Sequence, residues 1–146
     1  MFLSPSAFVG RAMLILLATW IAGCRGDDER LVRVTGSATR HGKPVPDLVI
    51  TFVPDRGQRS FGLTGQDGKF TMRSASGQEG VPAGTHKVWV QLKFAGSRDD
   101  QEQQKRVAAR QKDPEIVQIL RKYGNAETTP ITLEIKESRE IALSLD

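Results

Sequence analysis

Apolar and polar residues alternate in short runs through most of the chain after residue 30. In the longest run, 85–94, every second residue from Val88 to Phe94 is apolar, whereas Trp89 lies on the opposite, polar face. Alternation with a period of two predicts a strand with one buried and one solvated face. The pattern predicts seven strands, at 31–39, 47–53, 61–65, 69–73, 85–94, 131–136 and 141–145. Turn residues separate most of them, which favours an all-β fold, a seven-stranded antiparallel sandwich with Greek-key connections.

Two local patterns refine this prediction. Residues 47–53 are apolar on both faces, which is typical of a central strand that is buried on both sides. Residues 61–65 and 69–73 flank Asp67-Gly68, and Asp-Gly between alternating apolar residues is a strong hairpin signal. We therefore expect these two strands to pair with each other.

One stretch, about 97–123, breaks the strand pattern. Residues 99–112 are mostly Gln, Arg, Lys, Glu and Ala, which favour a helix, but they form almost no apolar stripe beyond Val107. An Asp-Pro helix start then precedes apolar residues at helical spacing, and Gly124 follows as a terminator. The sequence predicts an amphipathic helix over 114–123 that docks on the strands. The polar stretch before it is predicted to be either helical or partly disordered.

The start of the chain has a different pattern, a single charge at Arg11 followed by an apolar run over 12–22. The run is shorter than the ~20 apolar residues of a membrane-spanning helix, and its layout is that of a secretory signal. Its end, Gly23 before Cys24, resembles the lipobox of bacterial lipoproteins, where cleavage before the cysteine accompanies acylation of its sulfur and its new amino group. The resemblance implies a signal peptide at 1–23 and a lipid anchor on Cys24. The alternative is an ordinary signal peptide with a chance cysteine.

A lipid anchor would make the membrane a partner of the chain, because two or more acyl chains hold a protein stably on a bilayer. The polar residues from Cys24 to 30 would then form a lipidated tether, and 31–146 a single domain of ordinary size. Arg25 follows the lipidated position, where an aspartate often favours retention in the inner membrane of lipoproteins. By this analogy, the outer membrane is the expected location within the cell envelope.

Composition and charge narrow the classes of function. The chain has 146 residues, a formal net charge of +4 and one cysteine, so it cannot form an internal disulfide. Its basic residues are spread along the sequence rather than clustered, which argues against a nucleic-acid partner. We expect ordinary surface charge, with a weak attraction to anionic lipid or acidic polysaccharide as the alternative.

Three motifs occur in an order that resembles a known family. They are GKPVP at 42–46, TxxDGxF at 64–70 and PxGxHxV at 82–88. This set is similar to the carboxypeptidase regulatory-like, or transthyretin-like, β-sandwich, and more narrowly to small secreted lipoproteins of planctomycete-type bacteria. In those proteins a Lys-Tyr loop precedes the last two strands, as Lys122-Tyr123 does here, and we take Tyr123 as a candidate ligand-binding residue. The resemblance implies a fold rather than a reaction, and the charged insertion at 97–123 departs from it.

Candidate catalytic and metal-binding groups are few. His41 and His86 have no second His, Cys or Glu at ligand spacing, so we expect no metal and no cofactor. We expect His86 to be a partly buried or edge residue that makes one hydrogen bond. Hydroxyisourate hydrolases, which share the transthyretin fold, end in Tyr-Arg-Gly-Ser, and this chain does not. We therefore expect a protein that is not an enzyme; a hydrolase that combines His86 with carboxylates is a further alternative.

Trp89 is the remaining candidate for ligand binding, because its strand pattern puts it on the solvated face. An exposed indole can stack on a sugar ring. Alternatively the 114–123 helix covers it, with Ile116, Ile119 or Tyr123 against the ring. The sequence thus predicts a lipid-anchored β-sandwich module of the cell envelope with a structural or protein-interaction role. The alternative function is a carbohydrate-binding module that uses Trp89, so the expected partner is an envelope protein or a glycan.

Overall fold

The structure, a computed structural model, describes residues 30–94 and 101–146, which contain eleven strands and two helices. In chain order these are β1 Leu31–Val32, β2 Val34–Arg40, β3 Lys43–Pro44, β4 Leu48–Pro54, β5 Ser60–Leu63, β6 Lys69–Thr71, β7 Arg73–Ser74, β8 Val81–Pro82, β9 Gly84–Leu92, α1 Gln101–Gln111, α2 Pro114–Tyr123, β10 Thr132–Ile135 and β11 Arg139–Ser144. Both helices lie between β9 and β10, so the predicted helical insertion before the last two strands is confirmed. In this part of the chain, neither helix has the length and apolar character needed to cross a bilayer.

The described strands form three sheets. The largest has the order β10-β9-β4-β5-β7; the second has the order β11-β2-β3, with β6 also on β2; and the third pairs β1 with β8. β4 lies between β9 and β5, which agrees with the predicted central strand. β11, however, runs parallel to β2, from Arg139 opposite Val34 to Ser144 opposite Thr39. The sheets are therefore mostly, but not wholly, antiparallel.

The count of seven strands is not confirmed, because two predicted segments are interrupted and two short strands, β3 and β8, lie outside the predicted segments. All seven predicted segments contain a strand, and the additional strands β1, β3, β7 and β8 have two residues each. The predicted strand 31–39 is interrupted at Arg33, whose carbonyl accepts the N–H of Arg139 at 3.2 Å. The predicted strand 69–73 is interrupted at Met72. The fold is thus mainly β-strands in several sheets, with two helices.

The predicted hairpin between 61–65 and 69–73 is wrong. The Asp-Gly turn itself forms, since the N–H of Gly65 donates to the carbonyl of Lys69 at 2.9 Å. β5 nevertheless pairs with β4 and β7, whereas β6 pairs with β2 in the second sheet. Phe70 and Met72 are both buried in the core that the two sheets share. Passing from one sheet to the other lets the strand after the turn bury both of these side chains.

The two larger sheets bury their inner faces in one hydrophobic core. Its members include Val34 and Ala38 of β2, Leu48, Ile50 and Phe52 of β4, Val88 and Val90 of β9, and Ile141 and Leu143 of β11. The alternation predicted for β9 therefore holds along the strand. Phe94 is the exception, because it lies beyond the strand end and is 77% exposed. Its predicted place on the buried face is wrong.

α2 packs against β9 and completes the core beside it. Its start has the predicted cap, because Oδ1 of Asp113 accepts the N–H of Glu115 at 2.9 Å. Ile116, Ile119 and Tyr123 are buried along one face, as their spacing predicted. β10 pairs with β9 only as far as Lys87, which leaves the later part of β9 accessible to the helix.

The body has two distinct ends, defined by β9. At the entry end, Leu31 pairs with Pro82, and the carbonyl of Arg30 accepts the N–H of Ala83 at 3.3 Å, just before β9 begins. At the helical end, where β9 finishes, the N–H of Lys93 donates to the carbonyl of Asp47 at 2.9 Å, beside α1. The nine residues of β9 separate these ends by about 25 Å.

Candidate functional site

The predicted lipidation site lies outside the described residues. Cleavage after Gly23 and acylation of Cys24 concern 1–29, which the structure does not describe, and 95–100 are likewise outside it. The candidates within the described part are Trp89 and Tyr123.

Trp89 lies on the outer face of β9, opposite Thr51 of β4. Phe61 of β5 lies opposite Thr51 on its other side. Thr51 is fully buried although it faces away from the core, and two aromatic residues flank it. Trp89 is half-buried, and within the described part of the chain its Nε1 is enclosed with no hydrogen-bond partner. The indole is therefore a partly covered surface rather than a fully solvated one.

A cavity of about 250 Å³ opens beside Trp89, between the end of β9 and the two helices. Phe94 lines it together with Trp89, and Leu120 of α2 and Val107 of α1 complete its apolar wall. We call this cavity the aromatic pocket. It offers two aromatic side chains, and Phe94 is largely exposed to solvent.

Tyr123 is not among the residues that line this pocket. It is 4% exposed, and its hydroxyl donates to the backbone oxygen of Asp146 at 2.8 Å. Ile116 and Ile119 are buried in the hydrophobic core with it. Leu120 is the α2 residue that lines the cavity beside Trp89.

A second cavity, of about 240 Å³, adjoins the aromatic pocket at Lys93 and Val107, which line both. Arg106 and Arg110 of α1 line this second cavity with Lys93. Asp47 is the single acidic residue among its described lining residues, so cationic side chains are in excess there. We call this cavity the cationic pocket, and the two pockets together the cleft.

The two arginines of the cationic pocket differ in their surroundings. Arg110 is 26% exposed, and its guanidinium donates to Oδ2 of Asp47 at 3.1 Å, which ties α1 to the start of β4. Arg106 lies 3.5 Å from Glu102, one turn earlier, and its side chain is 76% exposed. An ion pair that is so exposed contributes little, so Arg106 keeps its charge available at the mouth of the pocket.

α1 contacts the domain through a face that is mostly polar. Its half-buried residues are Gln103, Val107 and Arg110, separated by four and three positions, which is one face of a helix. Val107 is the only apolar residue of the three, so hydrophobic periodicity does not reveal this face. The sequence analysis therefore did not identify Arg106 and Arg110 as site residues. The available signal was the spacing of four and three positions from Gln103 to Val107 to Arg110, which places these residues on one face of a helix.

The side chain of His86 lies in the interior of the domain. It is fully buried, its Nε2 donates to the carbonyl of Pro82 at 2.7 Å, and its ring centroid lies 5.6 Å from that of Phe52. The expected hydrogen bond is present, but the expected partly buried or edge position is wrong. In the described residues, no group of three His, Cys, Asp or Glu side chains is placed to hold a metal ion.

His41, Ser144 and Asp146 lie together at the helical end. Oδ1 of Asp146 accepts the backbone N–H of His41 at 2.6 Å and lies 3.2 Å from its Nδ1, and Ser144 donates its hydroxyl to Oδ2. The Ser144 hydrogen bond, followed by that from His41, lowers the pKa of Asp146 below its ordinary value of 3.8. In a hydrolytic triad the imidazole bonds both the serine and the carboxylate. Here the carboxylate bonds the other two groups, so the serine hydroxyl points to Asp146 and not to the imidazole.

Comparisons of the chain with protein-family models, with curated proteins and with solved structures gave no match. The cleft is therefore interpreted from its geometry alone. An aromatic surface beside an excess of cationic groups can bind a ligand that has both an apolar face and a negative charge.

Proposed function

We propose that the chain is a lipid-anchored, non-enzymatic module of the cell envelope that presents its helical end to envelope partners. The observation that carries this proposal is the separation of about 25 Å along β9 between the chain entry at Arg30 and the cleft beside Leu92. An anchor at one end and a binding surface at the other suit a protein that must reach away from a membrane.

The length of the tether supports the same arrangement. Arg30 follows Cys24 by six residues, which span at most about 20 Å even when fully extended. Acylation of Cys24 would hold the entry end close to the bilayer, and the helical end would then be the part of the domain farthest from it. The expected compartment is the outer membrane, by analogy with lipoproteins that lack aspartate at the position of Arg25.

We infer that the body is a Greek-key sandwich of the transthyretin-like kind. Support comes from the seven predicted segments, each of which contains a strand, and from the single core between the two larger sheets. The TxxDGxF segment at 64–70, on which the resemblance depends, contains a turn in which the N–H of Gly65 donates to the carbonyl of Lys69. The parallel pairing of β11 with β2 and the two-residue strands are departures from the simple antiparallel pattern.

The proposal that the module is not an enzyme rests on how its reactive groups are used. His86 is buried between its hydrogen bond to Pro82 and the ring of Phe52. His41 and Ser144 are both bonded to Asp146. These groups are hydrogen-bonded within the fold, and the cleft combines aromatic, amide and cationic side chains with the carboxylate of Asp47, a lining that suits binding.

A second candidate function is a carbohydrate-binding module. The observation that favours it is the aromatic pocket, where Trp89 and Phe94 line one cavity with Gln91 and Gln111. Aromatic rings stack on the apolar faces of sugars, and amide groups bond hydroxyls, so this lining matches the chemistry of a glycan.

Two experiments test the proposed function. Metabolic labelling with a radioactive fatty acid is expected to label the wild-type chain and not Cys24→Ser, because the thiol is the attachment point. An unlabelled wild-type chain that keeps residues 1–23, shown by mass spectrometry, would contradict the anchor.

The second experiment tests the orientation. A photo-crosslinking amino acid is placed at Gln111, which lines the aromatic pocket, or at Glu137, in the turn between β10 and β11 at the entry end. Both positions are exposed, so they form a matched pair. In native envelopes we expect Gln111 to capture an envelope partner, whereas Glu137 does not. Capture of the same partner from Glu137 alone would refute the orientation.

A further inference from the structure

We propose that the cleft binds an acidic polysaccharide, with a carboxylated sugar in the cationic pocket and a neighbouring sugar ring on Trp89 and Phe94. This inference rests on the proposed function, which presents the cleft to the polymers of the envelope.

The charge of the cationic pocket selects the acidic group. Lys93, Arg106 and Arg110 line it, against the single carboxylate of Asp47 among the described lining residues. Asp47 engages one nitrogen of Arg110 at 3.1 Å, which leaves Arg106 and Lys93 without a carboxylate inside the pocket. A guanidinium binds a carboxylate through two parallel hydrogen bonds, so Arg106 matches a sugar acid in geometry as well as charge.

The aromatic pocket selects a sugar chain rather than a small anion. Lys93 and Val107 line both cavities, so a ligand that enters one cavity is in reach of the other. An acidic polysaccharide has both required features, a carboxylate and a ring with an apolar face, in neighbouring units. A neutral glycan would leave the cationic pocket unmatched, and an inorganic anion would leave Trp89 and Phe94 unused.

A nucleic acid also combines rings with negative charge, but it needs a basic track along its backbone. The basic residues of this chain are spread rather than clustered, and the described lining of the cleft offers three cationic side chains, Lys93, Arg106 and Arg110, rather than a long basic track. We therefore assign the cleft to a carboxylated polysaccharide and use a phosphate polymer as a competing outcome.

The test is isothermal titration calorimetry of the full chain in detergent micelles. The probes are an oligogalacturonate, the same oligosaccharide with its carboxyl groups reduced to alcohols, and inorganic polyphosphate. We expect binding of the oligogalacturonate that weakens as salt rises from about 0.05 M to about 0.5 M, because ionic strength screens exposed charges. The reduced oligosaccharide is expected to bind at least about tenfold more weakly, since it loses its charge-assisted hydrogen bonds.

Matched variants locate the binding. Arg106→Gln removes a cationic group from the pocket, and Lys105→Gln removes the same charge from the exposed neighbour that does not line it. We expect Arg106→Gln to weaken binding about twofold to fivefold, the range of an exposed ion pair, and Lys105→Gln to leave it unchanged. Phe94→Ala is expected to weaken it about twofold to tenfold, while Phe61→Ala, outside the cleft, has no effect. Phe94 and Arg106 are largely exposed, so both variants are expected to fold.

Four results would overturn the inference. If the acidic and the reduced oligosaccharides bind equally well, the cleft does not recognise the carboxylate. If polyphosphate binds as tightly as the oligogalacturonate, the cleft attracts polyanions in general. Equal losses in Arg106→Gln and Lys105→Gln would place the ligand outside the cleft. The inference is also overturned if neither oligosaccharide binds. The fatty-acid labelling of Cys24 tests the lipid anchor separately, whatever the result of the binding experiment.

Discussion

Replacing Ile119 by alanine should show how much the packing of α2 on the core contributes to the stability of the domain. Ile119 is 0% exposed, whereas Val117, on the opposite face of the same helix, is 47% exposed. The helix packs its buried face against β9, so the loss of the Ile119 side chain should destabilise the whole domain. Val117→Ala is therefore the matched control.

The magnitude follows from the carbon atoms removed. Ile119→Ala deletes three buried carbons, worth about 2.4 kcal/mol at about 0.8 kcal/mol each. The cavity that remains raises the expected loss to about 3–4 kcal/mol. Val117→Ala deletes two half-exposed carbons and gains helix propensity, so its net change should be within about 0.5 kcal/mol. Since domains are stable by only about 5–15 kcal/mol, the two variants should be easy to tell apart.

Urea denaturation of the full chain, followed by far-UV circular dichroism, measures both losses. We expect the midpoint of Ile119→Ala to fall by about 1–4 M with an unchanged slope, and that of Val117→Ala to stay near the wild type. A loss below about 1 kcal/mol in Ile119→Ala, or equal losses in the two variants, would refute the docking of α2 on the core.

Three further predictions concern other parts of the fold. Gly36→Ala should destabilise by about 2 kcal/mol or more in a thermal melt, because a methyl group there would overlap the ring of Phe70 and a carbonyl of β11. Arg40→Ala should cost about 1–3 kcal/mol in urea denaturation, because the buried carbonyl of Leu145, just after β11, loses its donor. The pKa of Asp146 is lowered, chiefly by Ser144, so its stabilising effect is present above pH 3.8 and is lost as the pH falls below that value. Asp146→Asn should remove this part of the pH dependence of unfolding between pH 2 and 5.

Neighbouring residues provide the controls. Ser37→Ala lies beside Gly36 in β2 and should change stability little, so an equal loss would contradict the packing argument. Lys43→Ala removes an exposed cation close to Arg40; equal effects in the two variants would show that burial of Arg40 is unimportant. An unchanged acid unfolding profile in Asp146→Asn would contradict the role given to that carboxylate.

Local patterns were sufficient where a segment's own residues decide its structure. The alternation in β9 and β11 predicted which side chains reach the core, because successive residues of a strand face opposite sides. Asp113 and the spacing from Ile116 to Tyr123 predicted α2, because caps and helical periodicity act within a few residues. Phe94 was mispredicted because alternation cannot show where a strand ends.

The candidate site was predicted only through Trp89. Its face on β9 followed from alternation, but the cleft depends on α1, whose half-buried face is polar except for Val107. No hydrophobic stripe marks Arg106 or Arg110 as neighbours of the strand. Tyr123 was the second candidate, but its helical spacing with Ile116 and Ile119 places it on the buried face of α2.

By itself, the sequence determined the kinds of element, their order and most of the buried positions, because these depend on residues close together in the chain. It also predicts, in residues the structure does not describe, the lipid anchor on Cys24. Only the tertiary structure decided that β6 leaves β5 for β2, that β11 runs parallel to β2, and that α1 brings its arginines to the end of β9. These pairings depend on which segments, far apart in the sequence, pack best in one shared core. A local sequence pattern therefore cannot predict them.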